Sequence, residues 1–108
     1  MTLVDVPIAP HPGTILKKHM RSAGLTAAAL ARNLKVPTNR VTSILNGQRA
    51  ITGDTALRLA HFFQKSPDYW LGLQTEYDLY LASKEKGREI TALPTIGSDH
   101  GLHNERGR

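Results

Sequence analysis

The sequence predicts an all-α fold of five short helices followed by a flexible tail. Five segments repeat apolar residues every three or four positions, as helices with one buried face do. Proline, glycine and hydroxyl residues separate these segments at helix-end positions. No segment alternates apolar and polar residues cleanly enough to predict a strand. With 108 residues, the chain has the length of one domain with one core.

The first two helices are predicted from their end signals. Pro12 suits the first turn of a helix, and Gly24 suits the residue that closes it. Thr26 is the expected N-cap of the second helix, AAALARNL. The predicted inner faces comprise Ile15, Leu16 and Met20 in the first helix and Leu30, Ala31 and Leu34 in the second.

The third and fourth helices follow a proline and a threonine. Pro37 interrupts the chain, Thr38 is the expected cap of the third helix, NRVTSILN, and Gly47 closes that helix. Thr52 is the expected cap of the fourth helix. The predicted inner faces comprise Val41, Ile44 and Leu45 in the third helix and Leu57, Ala60 and Phe63 in the fourth.

The fifth helix begins at a strong local signal. Ser66, Pro67 and Asp68 supply an N-cap, a proline in the first turn and an acid near the positive helix end. The helix is expected to end before Gly87, and the polar, Gly- and Pro-containing segment from about Thr91 is expected to be mobile. The predicted organisation is an N-terminal arm (1–10), a helical domain (11–88) and a flexible tail (89–108).

Charge is distributed unevenly along the chain. The formal net charge is +5, and the sequence pI is about 9.9. Residues 1–66 carry nine basic and two acidic side chains, whereas residues 67–108 carry five basic and seven acidic ones. The first part therefore has a net charge of +7 and the second part −2. A basic front half favours a polyanionic partner, most simply a nucleic acid.

Several classes of protein are excluded or disfavoured by composition. The chain has no cysteine, which excludes disulfides, thiolate metal sites and a cysteine nucleophile. No apolar run approaches the roughly 20 residues that a membrane-spanning helix needs. The N-terminal sequence MTLVDVPIAPHPG lacks the basic and apolar regions of a signal peptide. A cytoplasmic location is therefore expected.

Residues 26–47 carry the main functional signal. They contain two short helices joined by a tight turn, which resembles a helix-turn-helix, and the small Ala31 would let the helices approach closely. In such motifs the second helix lies in the DNA major groove. Outside its predicted inner face, the candidates for contacting bases are Thr38, Asn39, Arg40, Thr42, Ser43 and Asn46. The alternative to a helix-turn-helix is an ordinary helical hairpin. The alternative to base contact by these residues is a solvated polar face.

The residue types around this helix suit DNA contact. Arginine can bond O6 and N7 of guanine together, and asparagine can bond N6 and N7 of adenine. Hydroxyl, amide and basic side chains also bind phosphate oxygens. Such contacts fix the register of a protein on the DNA but do not select a base sequence. The candidates for contacting phosphates are Lys35, Gln48, Arg49 and Thr52.

Residues 11–80 resemble the HigA-type antitoxins, which are Cro/C1-type (XRE, lambda-repressor-like) helix-turn-helix proteins. The motifs that carry the resemblance are HPGTIL, VPTNRVTSILNGQRAIT, DTALRLAHFF and SPDYWLGLQTEYDL. The resemblance implies five helices, a homodimer, binding to operator DNA at the protein's own promoter, and neutralisation of a toxin that cleaves mRNA. Two positions depart from the family pattern. Ala27 and Ala28 stand where many relatives have a phosphate-contacting glutamine, and Lys35 stands where glycine is common.

The fifth helix has more apolar residues than one buried face requires. Trp70, Leu73 and Tyr77 can close the core, and the surplus predicts a dimer interface. The candidates for that interface are Tyr77, Leu79 and Tyr80. A two-fold dimer would match a palindromic operator.

Enzyme and metal chemistry are not expected. His100 and His103 lie in the predicted tail without a structured third ligand, whereas zinc needs three or four converging ligands. The basic half has no paired carboxylates, and no cofactor motif is present. Two alternatives stay open: a stand-alone regulator of the same family without a toxin partner, and an RNA-binding or protein-interaction module. RNA binders usually expose aromatic residues, of which the basic half has only Phe62 and Phe63.

Overall fold

The computed structural model describes residues 5–97 and contains the five predicted helices. They are α1 (Pro12–Ala23), α2 (Ala27–Leu34), α3 (Thr38–Leu45), α4 (Gly53–Phe63) and α5 (Pro67–Thr91). Within the described range no strand forms, and the all-α class is confirmed. The predicted tail beyond residue 97, with His100 and His103, lies outside the described residues, as do the first four residues of the predicted arm.

Local capping determines where several of these helices begin and end. The Thr26 hydroxyl oxygen accepts a hydrogen bond from the Ala29 N–H at 3.1 Å, and the Ser66 oxygen accepts one from the Tyr69 N–H at 3.1 Å. Gly24 closes α1 in the left-handed conformation, with φ of 67°. The predicted caps at Thr26, Ser66 and Gly24 are therefore confirmed, and each depends on residues adjacent in the chain.

Two helix ends differ from the prediction. The N-cap of α3 is Pro37, so Thr38 is the first helical residue and does not cap the helix. Pro37 adopts the extended conformation of an N-cap and leaves α3 without a side-chain cap. At the other end of the chain, α5 continues through Gly87 to Thr91, because one glycine costs only about 1 kcal/mol within a run of good helix formers. The proposed domain boundary after residue 88 stays a prediction.

The core surrounds Trp70, which is completely buried on α5. Its indole ring packs against Phe63, with ring centroids 5.7 Å apart, and against His19, with centroids 5.2 Å apart. His19 also shares a 2.8 Å hydrogen bond with the Tyr69 hydroxyl. The remaining core side chains come from all of the first four helices and from the connection before α4: Leu16, Met20, Leu30, Ala31, Leu34, Val41, Ile44, Ile51, Ala56, Leu59 and Ala60.

The prediction that Leu57 lies on the inner face of α4 is wrong. Leu57 is 63% exposed, whereas the adjacent Ala56 and the later Leu59 are fully buried. Apolar residues occupy more than one face of α4, so periodicity alone selects the wrong register. The exposed Leu57 instead lies beside a surface groove between α2 and α4, with Asn33 and His61.

The first helix approaches the end of α3 unusually closely at Gly13. A Cβ atom at this position would lie 2.1 Å from the carbonyl oxygen of Ile44, so only glycine fits. The His11 ring caps α1 at the same place, since its Nδ1 accepts a 2.9 Å hydrogen bond from the Gly13 N–H. Burial lowers the pKa of His11, against a smaller opposing effect of Asp78, and so favours the neutral ring that can accept this bond.

The fifth helix is the longest element, with 25 residues. Its exposed C-terminal turns are polar and include an i,i+3 pair in which Lys86 Nζ and Glu89 Oε1 are 3.7 Å apart. Over residues 5–97, no helix combines the length and the apolar character required to cross a membrane.

We expect Trp70→Ala to reduce the free energy of unfolding by about 3–5 kcal/mol, because it removes a fully buried aromatic ring from the centre of the core. Leu57→Ala is the matched control, since Leu57 is an exposed apolar residue on a neighbouring helix and should change stability by less than about 0.5 kcal/mol. Urea unfolding followed by circular dichroism measures both. Equal decreases in the free energy of unfolding of the two variants would contradict the placement of Trp70 in the core and of Leu57 outside it.

Candidate nucleic-acid interface

The orientation of α3 is fixed by two side chains. Val41 and Ile44 are each only 1% exposed and pack into the core. On the preceding helix Ala31 is equally buried, and its small side chain permits close packing of α2 against α3. The turn between them is closed by the Val36 N–H, which donates to the Ala31 carbonyl oxygen at 3.1 Å. The polar residues of α3 are therefore held on the outer side of the helix pair.

The six candidates for contacting bases all lie on α3 or at its end, with different exposure. Thr38 and Asn39 are exposed in the first turn, and Asn46 is exposed at the C-cap. The other three candidates are half-buried: Arg40, Thr42 and Ser43. The first turn of α3 thus offers the most accessible polar surface.

Arg40 is held by an acidic residue that comes fourteen positions later in the chain. Arg40 Nη1 lies 2.5 Å from Asp54 Oδ2, and Arg58 Nε lies 2.9 Å from the same oxygen. A second nitrogen of Arg58 donates to the Leu34 carbonyl oxygen at 2.8 Å. This Arg40–Asp54–Arg58 cluster connects α3 and α4 with the last residue of α2.

The charge of Asp54 is stabilised by its two partners. Hydrogen bonds from Arg58, and then from Arg40, lower the pKa of Asp54 below its ordinary value. Asp54 and Arg58 are four residues apart on one helix, a spacing that indicates their pairing from sequence. The pairing of Asp54 with Arg40 has no such local signal, because it depends on how α4 packs beside α3.

The four candidates for contacting phosphates are all exposed around α3. Lys35 closes α2 in the left-handed conformation, with φ of 59°, a region that favours glycine. Gln48 and Arg49 lie in the connection between α3 and α4, and Thr52 is the N-cap of α4. Within the part of the chain that the structure describes, neither Lys35 nor Arg49 forms an ion pair. Both charges are available to a partner.

A second surface combines the N-terminal arm with the middle of α5. Leu79 is 51% exposed, whereas Tyr77 and Tyr80 are half-buried. The Tyr77 ring packs edge-on against His11, with centroids 5.0 Å apart. Leu79 and Glu76 line a shallow cavity of about 340 Å³ together with the arm, in which Ile8 is 84% exposed. We name this surface, from Val6 to Ala9 with Glu76 and Leu79, the arm–α5 patch.

Metal-binding geometry is not found between residues 5 and 97. No group of three or more His, Asp or Glu side chains converges there on a point that could hold an ion.

Comparison with known proteins identifies the family. The helix-turn-helix family model matches residues 16–70, which span α2 and α3. A solved structure described as an addiction module antidote protein of a HigA family from Coxiella burnetii is 49% identical, with a TM-score of 0.76 over 82% of this chain and 98% of that chain. The chain belongs to the HigA-type antitoxins of the Cro/C1-type helix-turn-helix family. The resemblance carried by the four sequence motifs is confirmed.

Two further relatives extend the comparison. The solved structure of Pseudomonas aeruginosa antitoxin HigA with the higBA promoter is 36% identical, with a TM-score of 0.78 over 82% of this chain and 99% of that chain. Virulence-associated protein I of Dichelobacter nodosus is 46% identical over 92 residues, which is 84% of each chain. In helix-turn-helix motifs the second helix is the recognition helix, and α3 occupies that position in this chain. The individual base and phosphate contacts stay predictions.

Proposed function

We propose that this protein is an antitoxin that binds the operator of its own promoter as a dimer and neutralises a toxin that cleaves mRNA. The observation that carries the DNA-binding part is the placement of α3, with its buried stripe in the core and its polar first turn exposed. Support for the antitoxin part comes from the HigA-family relatives, one of which was solved with a promoter.

The DNA contacts divide into two kinds. The recognition helix would enter the major groove, where its polar residues read base edges: Thr38, Asn39, Arg40, Thr42, Ser43 and Asn46. The surrounding residues would bind phosphates on either side of the groove: Lys35, Gln48, Arg49 and Thr52. The net charge of +7 on residues 1–66 supports this assignment, because it supplies attraction for any DNA sequence.

Dimerisation would supply the second half of the DNA site. We place the dimer interface at Tyr77, Leu79 and Tyr80, because Leu79 is 51% exposed and belongs to the arm–α5 patch, which includes the exposed Ile8. A two-fold axis there would set two recognition helices roughly 34–36 Å apart, which matches two half-sites of a palindrome.

The proposed activity is binding and not catalysis. It requires no cofactor or metal, and it would take place in the cytoplasm, where operator DNA and mRNA are found. A stand-alone regulator of the same family would bind DNA in the same way but would have no toxin partner.

The neighbouring gene separates these two functions. If a short reading frame beside this gene encodes a protein that arrests growth, co-expression of this chain should restore growth, and the two proteins should co-purify. Continued arrest with no co-purified complex would leave only the regulator function.

We expect the protein to bind a palindromic fragment of its own promoter with an affinity that falls steeply as salt rises. Titration at several salt concentrations should give a linear decrease of log K with log salt, because bound phosphates release counterions. Arg49→Ala should weaken binding to all sequences equally and reduce the slope by about one. Arg40→Ala should cost about 1–3 kcal/mol on the palindrome and relax the preference at one base pair.

Random DNA of the same length is the control in this titration. If Arg40→Ala and Arg49→Ala have the same effect on both fragments, the division into base contact and phosphate contact is incorrect. An affinity that does not depend on salt would contradict the electrostatic role of the basic half.

We expect the double variant Leu79→Glu, Tyr80→Glu to be a folded monomer with greatly reduced DNA affinity. Two carboxylates in the proposed interface would repel their symmetry mates, and each monomer would retain only one half-site. Circular dichroism should be unchanged, and sedimentation should show half the mass. Leu57→Glu is the control, because it charges an exposed apolar residue away from α5. If the double variant stays dimeric, the dimer interface lies elsewhere, and the N-terminal arm with its exposed Ile8 is the next candidate.

A further inference from the structure

The Arg40–Asp54–Arg58 cluster places a negative charge beside the recognition helix. Asp54 lies in the first turn of α4, and its side chain is 55% exposed. Between residues 6 and 67 it is the only acidic residue, in a segment with nine basic ones. A carboxylate at a DNA-binding face weakens attraction to phosphates, so its position against Arg40 requires an explanation.

Arg58 fixes the position of this carboxylate. It donates to Asp54 Oδ2 from Nε and to the Leu34 carbonyl oxygen from Nη1, at 2.9 and 2.8 Å. Two hydrogen bonds in different directions leave the Arg58 side chain little freedom. Asp54 is therefore anchored both to its own helix and to the end of α2, which packs beside α3.

Anchored in this way, Asp54 restrains Arg40. The Arg40 side chain is 28% exposed, and its Nη1 atom bonds to Oδ2 of Asp54. An arginine held on one side loses less conformational entropy when its remaining N–H groups bond a guanine edge. The same hydrogen bond engages the Nη1 atom of Arg40, which is then not free to bond a phosphate, a contact that every DNA sequence offers equally.

We propose that Asp54 is a specificity-determining residue, which holds Arg40 for base contact and withholds its charge from the phosphate backbone. The proposal rests on the proposed function, since it assigns a role within the same DNA interface. Asp54 acts through Arg40 and is a positioning residue. It raises the ratio of specific to non-specific affinity rather than affinity itself.

The test compares the palindromic promoter fragment with random DNA of equal length for Asp54→Ala. The variant should bind random DNA more tightly than the wild type, and its salt slope there should be steeper by about one, because freed Arg40 gains a phosphate. The ratio of specific to non-specific affinity should fall about 10-fold, within the discrimination that one bidentate contact supplies. Asp54→Asn, which keeps an acceptor oxygen for Arg40, should retain part of the ratio.

Asp68→Ala is the matched control, because Asp68 is an exposed acid in the first turn of α5. It removes the same charge and should leave the specificity ratio unchanged. In an Arg40→Ala background, Asp54→Ala should have no further effect on the ratio, whereas a purely repulsive or structural role would leave its effect intact. Thermal unfolding followed by circular dichroism confirms that each variant is folded, and Asp54→Asn replaces the alanine variant if that one is not.

The outcomes separate this proposal from the proposed function. A wild-type protein that does not prefer the palindrome overturns both. A wild-type protein that prefers it, with an unchanged ratio in Asp54→Ala, overturns only the role of Asp54. If Asp54→Ala still lowers the specificity ratio in the Arg40→Ala background, the role of Asp54 is overturned as well.

Discussion

The burial of Val41 and Ile44 is the constraint on which the functional surface depends. These two side chains fix the rotation of α3 about its axis, and every polar residue of the helix is then placed by the helical repeat. Ala31 sets the distance to α2, and Gly13 sets the distance to α1. A change in any of these contacts would alter the position of the polar residues of α3.

Much of the fold could be predicted because its signals are local. The caps at Thr26, Ser66 and Gly24 each depend on a few neighbouring residues, and the short helices leave only one apolar stripe on α2 and α3. The left-handed conformation at Lys35 has no such signal in the residue itself, since it costs a lysine about 1 kcal/mol relative to glycine. The approximate location of the candidate DNA interface is a prediction from these same elements together with the distribution of charge.

The remaining features depend on tertiary packing, which the sequence pattern does not specify. Leu57 lies on a helix with more apolar residues than its buried face needs, so its exposure depends on which face of α4 packs into the core. The bond between Arg40 and Asp54 joins two helices whose relative orientation is set by the core. In the sequence Gly13 is an ordinary residue at a helix start. Its close contact with the backbone of α3 depends on tertiary packing.

The single tryptophan gives the molecule a built-in optical reporter. Trp70 is completely buried among Phe63, Tyr69 and His19, and it belongs to α5 rather than to the helix-turn-helix. Its fluorescence therefore monitors the integrity of the core. A variant that loses DNA binding because it misfolds would change this fluorescence, whereas one that loses only DNA contacts would not. The two cases can be distinguished without a label and without an added tryptophan.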